Sequence, residues 1–322
     1  MALPRRAIAS APGKVILTGE HFVVYGEPSL VMAVDKRARV EASVEGEGLS
    51  IEALDLGISW NEGQELPKQL APIKLIADRV LEEGSRPKGL KIKITSELPM
   101  SAGMGSSAAV AVAAAMSIGE ALGLELSEDE VYELALEAEK LVHVNPSGVD
   151  PLISTVGGIV AFRRGEGYVS VEAAVEPIIV VGYTGKPRST GKMVKKVDRL
   201  RREHPEVMAP LFHAGGHLTI EAAEALRIGD LKRLGELMDI NHGLLVAIGV
   251  STRKLDKLVY VAKRAGALGA KLTGAGGGGC MIALCADDQA AEKVARAIER
   301  GGAKPLRVKM ESKGVKLEKV ED

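Results

Sequence analysis

The segment Glu97-Leu98-Pro99-Met100-Ser101-Ala102-Gly103-Met104-Gly105-Ser106-Ser107-Ala108-Ala109 constrains this 322-residue chain more than any other. It follows a K-I-K-I run of period two, Leu90 to Ile94, and leads into an alanine-rich helical stretch, so it reads as a strand–loop–helix turn. Glycines let the backbone take positive φ and approach a ligand closely. The helix behind the loop points unpaired N–H groups and its positive dipole end back at the loop, which favours phosphate there. Ser106 is expected to cap the helix, and the two hydroxyls at the turn could bond phosphate oxygen or a metal. A tight turn with a serine cap and no ligand fits the same residues.

A second glycine run, Lys271-Leu272-Thr273-Gly274-Ala275-Gly276-Gly277-Gly278-Gly279-Cys280, formally matches G-x-G-x-x-G. A dinucleotide fold would need a helix after it, whereas Met281 to Leu284 reads as strand, so that reading is rejected. Four consecutive glycines mean either backbone lying close against something or a flexible hairpin loop. Gly185 to Met193 falls short of a P-loop: its spacing is one residue too long, and Met193 stands where a Ser or Thr should meet Mg²⁺. It could still offer Arg188 and Thr190 to an anionic substrate.

Single residues carry further signals. Lys14 enters an apolar strand between glycine and β-branched residues, and must either reach solvent or face a buried anion. Glu139 lies in the last turns of a helix, where an acid opposes the dipole and invites another reason for its presence. Asp150 follows a Pro/Gly turn and precedes Pro151, which is expected to hold it extended; a turn-capping role fits it equally. His213 and His217 stand four apart without a third ligand nearby, a weak case for metal.

Composition bounds the rest. With 46% hydrophobic and 26% charged residues, the chain has the make-up of a globular protein, long enough for two domains. A net charge of −1 gives no electrostatic case for nucleic acid or an anionic membrane surface. Cys280 and Cys285, close together in an apolar run, form no disulfide framework and fit a reducing cytoplasm. No signal peptide is read at the start, and the most apolar stretch, Ala108 to Ile118, is too short to span a bilayer.

Periodicity and punctuation predict strands at Val15–Leu17, Phe22–Tyr25, Leu30–Val34, Val40–Val44 and Leu90–Ile94, and helices at Ala71–Glu83, from Ser106, and at Ser127–Val142. In the last of these, Ser127 and Glu130 have capping-box spacing. A strand pair, Gly158–Arg163 and Val169–Ser170, precedes a buried strand at Ile178–Val181. Helices follow at Gly191–Glu203, His213–Ile228, Asp230–Leu244 and Ser251–Ala265. A strand near Ala270, a strand Cys280–Cys285, a helix Asp288–Arg300 and a closing strand Leu306–Met310 complete an α+β pattern with mixed sheets. The expected domains are 1–172 and 173–322, with the active site between them.

These segments together resemble the kinase superfamily named after galactokinase, homoserine kinase, mevalonate kinase and phosphomevalonate kinase (GHMP). Its three motifs occur in order from Ala11 to Cys280. Pro12-Gly13-Lys14-Val15 with Gly19-Glu20-His21, Asn145-Pro146-Ser147-Gly148-Val149-Asp150, and Lys271-Leu272-Thr273-Gly274-Ala275-Gly276 are most similar to mevalonate kinases. Galactokinase-like chains generally carry Arg at the place of Lys14. Met104 replaces the usual Leu at nearly conserved volume, and Val144 replaces the usual Gly.

The resemblance implies a two-domain GHMP-kinase fold, its N-terminal domain like domain 2 of ribosomal protein S5 and its C-terminal domain ferredoxin-like. It implies that Pro99, Ala102, Gly103, Met104, Gly105, Ser106, Ser107 and Ala108 wrap the ATP phosphates, and that Ser107 and Glu139 hold Mg²⁺. Asp150 and Lys14 would act on the attacking hydroxyl, while Glu20, His21, Gly148, Arg188, Thr190 and Ala275 would surround mevalonate. The partners are then two small molecules, ATP and mevalonate, with neither nucleic acid nor membrane, and a homodimer as an allowed assembly. Rival readings are a phosphomevalonate or other small-alcohol kinase, a relative that presents a different hydroxyl of mevalonate, and a non-catalytic sensor. The sensor would be expected to lose Asp150, Lys14 or the metal ligands, and this chain keeps them.

Overall fold

Two long antiparallel strands organise the computed structural model, which describes residues 6–84, 87–99, 103–142, 146–186 and 190–321. They are β1 (Arg6–Thr18) and β2 (Ser29–Ser43), and their alternating apolar residues Val15, Leu17, Leu30 and Met32 are fully buried. After them come β3 (Gly48–Ala53), β4 (Ile58–Asn61), α1 (Ala71–Glu83), β5 (Gly89–Ser96), α2 (Ser106–Ala121), α3 (Glu128–Val142), α4 (Val149–Val156), β6 (Ile159–Arg163) and β7 (Gly167–Ser170). The alanines of α2 are small enough to let it pack against β1, β2, α1 and α3 at once, and most of its residues are buried.

The chain continues with β8 (Ile178–Tyr183), α5 (Thr190–Glu203), α6 (Pro205–Ile228), α7 (Leu231–Ala247), α8 (Arg253–Arg264), β9 (Gly269–Thr273), β10 (Cys280–Cys285), α9 (Asp288–Arg300), β11 (Lys304–Val308) and β12 (Lys316–Glu321). The first sheet runs β12-β1-β2-β5-β3-β4, with β6 on β2 and β7 on β6; only β3 and β5 pair in parallel. The second sheet runs β11-β8-β10-β9, antiparallel throughout, which is the ferredoxin-like order. The expected α+β class with mixed sheets is therefore what the chain adopts. Among the described residues no helix is long and apolar enough to cross a membrane.

Local chemistry explains both agreements and differences. The capping box forms as expected: the Ser127 N–H donates to Glu130 Oε2 at 2.8 Å, and the Glu130 N–H to Ser127 Oγ at 3.3 Å. Phe22–Tyr25, expected as strand, is one turn of 3₁₀ helix between His21 at φ 64° and Gly26 in the left-handed region, so backbone reversals override a β-rich composition. Ser106 does not cap α2; Gly105 takes the cap position and no side chain bonds there. Asp150, expected extended before Pro151, lies in the first turn of α4. Proline is tolerated there because a first-turn N–H has no helical partner to lose. Strands β3, β4 and β12 were not expected.

Candidate active site

Lys14 occupies the middle of β1 and is 1% exposed. Its backbone N–H points away from β2 and donates to the Met104 carbonyl at 2.9 Å, which fastens the glycine loop directly beside the lysine. Gly105 sits at φ 73°, and a Cβ there would lie 2.9 Å from Lys14 Cγ, so the loop needs glycine to let the lysine stem pass.

The anion that Lys14 faces is Asp150, half-buried at the cavity edge: Nζ to Oδ1 is 2.9 Å. Helix α4 presents this acid because Ser154 Oγ, one turn on, donates to the Pro12 carbonyl at 2.8 Å and fixes the helix against β1. Glu139 approaches from the last turns of α3. Its Oε2 is buried without a hydrogen-bond partner among the described residues. Burial and then the Asp150 charge push its carboxyl up to about 8, against the opposing pull of Lys14. An orphaned buried oxygen beside a second carboxylate is the environment a cation relieves.

Asp150 and Glu139 edge a cavity of about 570 Å³, with Lys14 buried behind Asp150. Its lining includes Pro99, Gly103, Gly105, Ser106, Ser107, Ala108, Glu139, Asp150 and Thr190, together with Asp55, Lys68, Gln69, Leu70 and Ile73. With Gly105 at the cap position and no side chain bonded to it, the first-turn amides of α2 are left for a ligand. Ser107 and Glu139 suit Mg²⁺ chemically, since that ion favours hard oxygen donors and needs only one or two from protein when phosphates supply others.

The expected site residues divide into two groups. Asp150, Glu139, Ser107, Thr190 and the glycine loop come together at the cavity with Lys14 paired to Asp150 behind it, and Gly148 is the cap of the helix that carries Asp150. Met104 contributes its carbonyl, with its side chain in the core. Ala102 and Arg188 lie outside the described residues, as does Asn145. Glu20, His21 and Ala275 form a separate buried group at the joint with β9. There His21 Nε2 is 3.0 Å from the Ala275 carbonyl oxygen, and the Glu20 carboxylate pairs with Lys271 and accepts from Asn241 Nδ2 at 3.1 Å.

The second glycine run lies close against other backbone. The Gly277 N–H donates to the Val250 carbonyl at 2.8 Å and the Gly279 N–H to that of Lys186 at 3.0 Å. Sequence reasoning missed Asp55, Lys68 and Gln69, ordinary polar residues with no distinguishing pattern. It also missed the role of Lys271, which did carry a signal: a lone cation in a strand that is otherwise small, apolar or hydroxylic.

A family model described as GHMP kinases N terminal domain matches residues 71–158, and one described as GHMP kinases C terminal matches residues 222–304. A mevalonate kinase of Thermococcus sibiricus is 42% identical, with 98% of this chain and 99% of that protein covered. One of Pyrococcus abyssi is also 42% identical, covering 99% and 100%. The crystal structure of L. major mevalonate kinase in complex with R-mevalonate superposes with a TM-score of 0.83 at 32% identity, covering 95% of this chain and 96% of that one.

Proposed function

The chain belongs to the GHMP kinases, and from that premise we propose that it transfers the γ-phosphoryl group of ATP to the primary hydroxyl of (R)-mevalonate, giving 5-phosphomevalonate. The observation that carries this reading is the Lys14–Asp150 pair, 2.9 Å apart, at a cavity into which the uncapped start of α2 opens. The curated relatives named mevalonate kinase, alike over nearly the whole chain, support the choice of substrate.

Phosphoryl transfer demands positioning and charge stabilisation more than covalent work by the protein. The amides of Gly103 to Ala108, with Pro99 and Ala102 at the loop's start, cradle the ATP phosphates. Ser107 and Glu139 would hold Mg²⁺, which when bound neutralises charge on the phosphate oxygens. Asp150 accepts the proton of the primary hydroxyl or orients it, and Lys14 stabilises the charge that develops there. Gly148, Arg188 and Thr190 are assigned to the mevalonate, with Glu20, His21 and Ala275 serving it from the buried group at the joint with β9. The working units are 1–172 and 173–322, with β12 lent back to the first sheet. The buried cysteines and the small-molecule partners fit a cytoplasmic enzyme, with a homodimer as its allowed assembly.

The test is a coupled ADP-release assay over mevalonate, phosphomevalonate, homoserine and galactose, with the phosphorylated position read by phosphorus NMR. Mevalonate should give by far the highest kcat/KM, with phosphate on the primary oxygen. Phosphate on the tertiary hydroxyl, or phosphomevalonate as the better substrate, would overturn the assignment.

A further inference from the structure

The proposed chemistry leaves one cluster of buried polar side chains unused. Lys271 on β9 is fully buried, and its ammonium donates to Glu20 Oε1, to the Leu272 carbonyl at 2.7 Å and to the Ile16 carbonyl at 3.4 Å. The other Glu20 oxygen accepts from Asn241, whose Oδ1 accepts from the Gly19 N–H at 3.3 Å. Thr273 Oγ1 accepts from the Ile16 N–H at 3.1 Å and lies 3.2 Å from the Ile16 carbonyl, to which it donates. Lys271 and Thr273 both bond Ile16, two residues beyond Lys14 on β1.

The strand geometry explains why. In an antiparallel ladder, opposed pairs alternate between hydrogen-bonded and open. Lys14 with Ala33 is an open pair, its amides donating instead to Met104 and Gly158, so Ile16 with Val31, two residues on, is open too. The outer edge of β1 is covered by β12 only from Arg6 to Ser10. At Lys14 the glycine loop takes the outward amide, and at Ile16 the second sheet takes it through Thr273.

We propose that Thr273 and Lys271 are positioning residues that hold Lys14 against Asp150 through Ile16, with Glu20 and Asn241 fixing the Lys271 ammonium. A desolvated ion pair adds little stability over apolar packing, yet it permits only one arrangement of its partners. Here that arrangement sets the register between the two sheets at the strand carrying the lysine. The inference rests on the reading of Lys14 and Asp150 as catalytic groups.

Thr273→Val keeps the shape and removes the hydroxyl; Thr273→Ser keeps the hydroxyl. The valine variant should lose about tenfold or more in kcat with KM for ATP unchanged, as expected for a small misplacement of a reacting group. Serine should restore kcat to within about threefold, since the bond rather than the methyl matters. Hydrogen–deuterium exchange over residues 14–18 should quicken in the valine variant alone. Native kcat in folded Thr273→Val, at a temperature well below its melting point, overturns the proposal even if that melting point has dropped. Should this variant not fold, Glu20→Gln/Lys271→Met, which leaves no charge unpaired, is read the same way: lower kcat with faster exchange over 14–18 supports, and native values overturn. Lys14→Met separates the two levels. If it keeps turnover, the catalytic reading of Lys14 fails; if it is dead while Thr273→Val is native, only the positioning role fails.

Discussion

Two lysine–carboxylate pairs meet at the same segment of β1, and they are built for opposite purposes. Lys271–Glu20 is sealed, with side chains 0% and 1% exposed and both carboxylate oxygens committed to donors. Lys14–Asp150 has an equally buried lysine, but its aspartate is 25% exposed and lines the cavity, with the orphaned oxygen of Glu139 nearby. Burial of charge is common to both lysines, so it does not mark the pair proposed to react. What marks it is bonding capacity left unfilled towards a space that a ligand can enter.

Breaking each pair should therefore show in different measurements. Glu20→Ala leaves the Lys271 ammonium buried and unpaired, and should lower unfolding free energy by about 3–5 kcal/mol in a denaturant titration. A variant as stable as the parent would erase the distinction drawn between the pairs. Asp150→Asn should instead reduce kcat by at least about 10²-fold, the scale of a lost general base, while ATP binding and melting temperature stay near native. Near-normal turnover in that folded variant would move the chemistry away from Asp150.

Glu139 sharpens the contrast through pH. Its carboxyl is raised from an ordinary 4.5 to about 8, so across that interval the folded ligand-free protein retains a proton that the unfolded chain releases. The stabilisation is full below about pH 4.5 and is lost as pH rises towards 8. Glu139→Gln should flatten this part of the stability–pH curve and raise the Mg²⁺ concentration needed for half-maximal rate. Unfolding curves across that pH range and a metal titration check both, and if neither changes, Glu139 serves structure alone.

The sealed and the open pair were not equally legible in the sequence. Lys14 was conspicuous because a lysine between glycine and β-branched residues must either reach solvent or face an anion, and local signals such as the Ser127–Glu130 box and the limits of α1, β10 and α9 were written within a few residues. Asp150 was singled out with the wrong backbone, because a residue before proline favours extended geometry until a first turn of helix overrides it. Lys271 and Asn241 meet Glu20 across more than 200 residues of chain, and β12 meets β1 from the opposite end. No periodicity encodes such pairings; they follow from how two sheets dock, which is a property of the whole chain.

The smallest expected effect tests how the second sheet reaches the open pair. Thr184, just past β8, donates from Oγ1 to the Gly279 carbonyl at 2.8 Å, which ties the glycine run to the chain leading into α5. Thr190 begins that helix and lines the cavity with Glu139 and Asp150. Mevalonate carries a carboxylate at one end and the primary hydroxyl at the other. If Lys14 and Asp150 hold the hydroxyl as proposed, its remaining polar groups need partners elsewhere on the wall, and Thr190, at the start of α5, offers one. Thr190→Val keeps the shape and removes one hydrogen-bonding group, so KM for mevalonate should rise roughly 2- to 10-fold, as for a net bond of about 0.5–1.5 kcal/mol, with kcat and KM for ATP nearly unchanged. Steady-state kinetics in both substrates decide it. A rise in KM for ATP instead would assign the start of α5 to the nucleotide rather than to mevalonate.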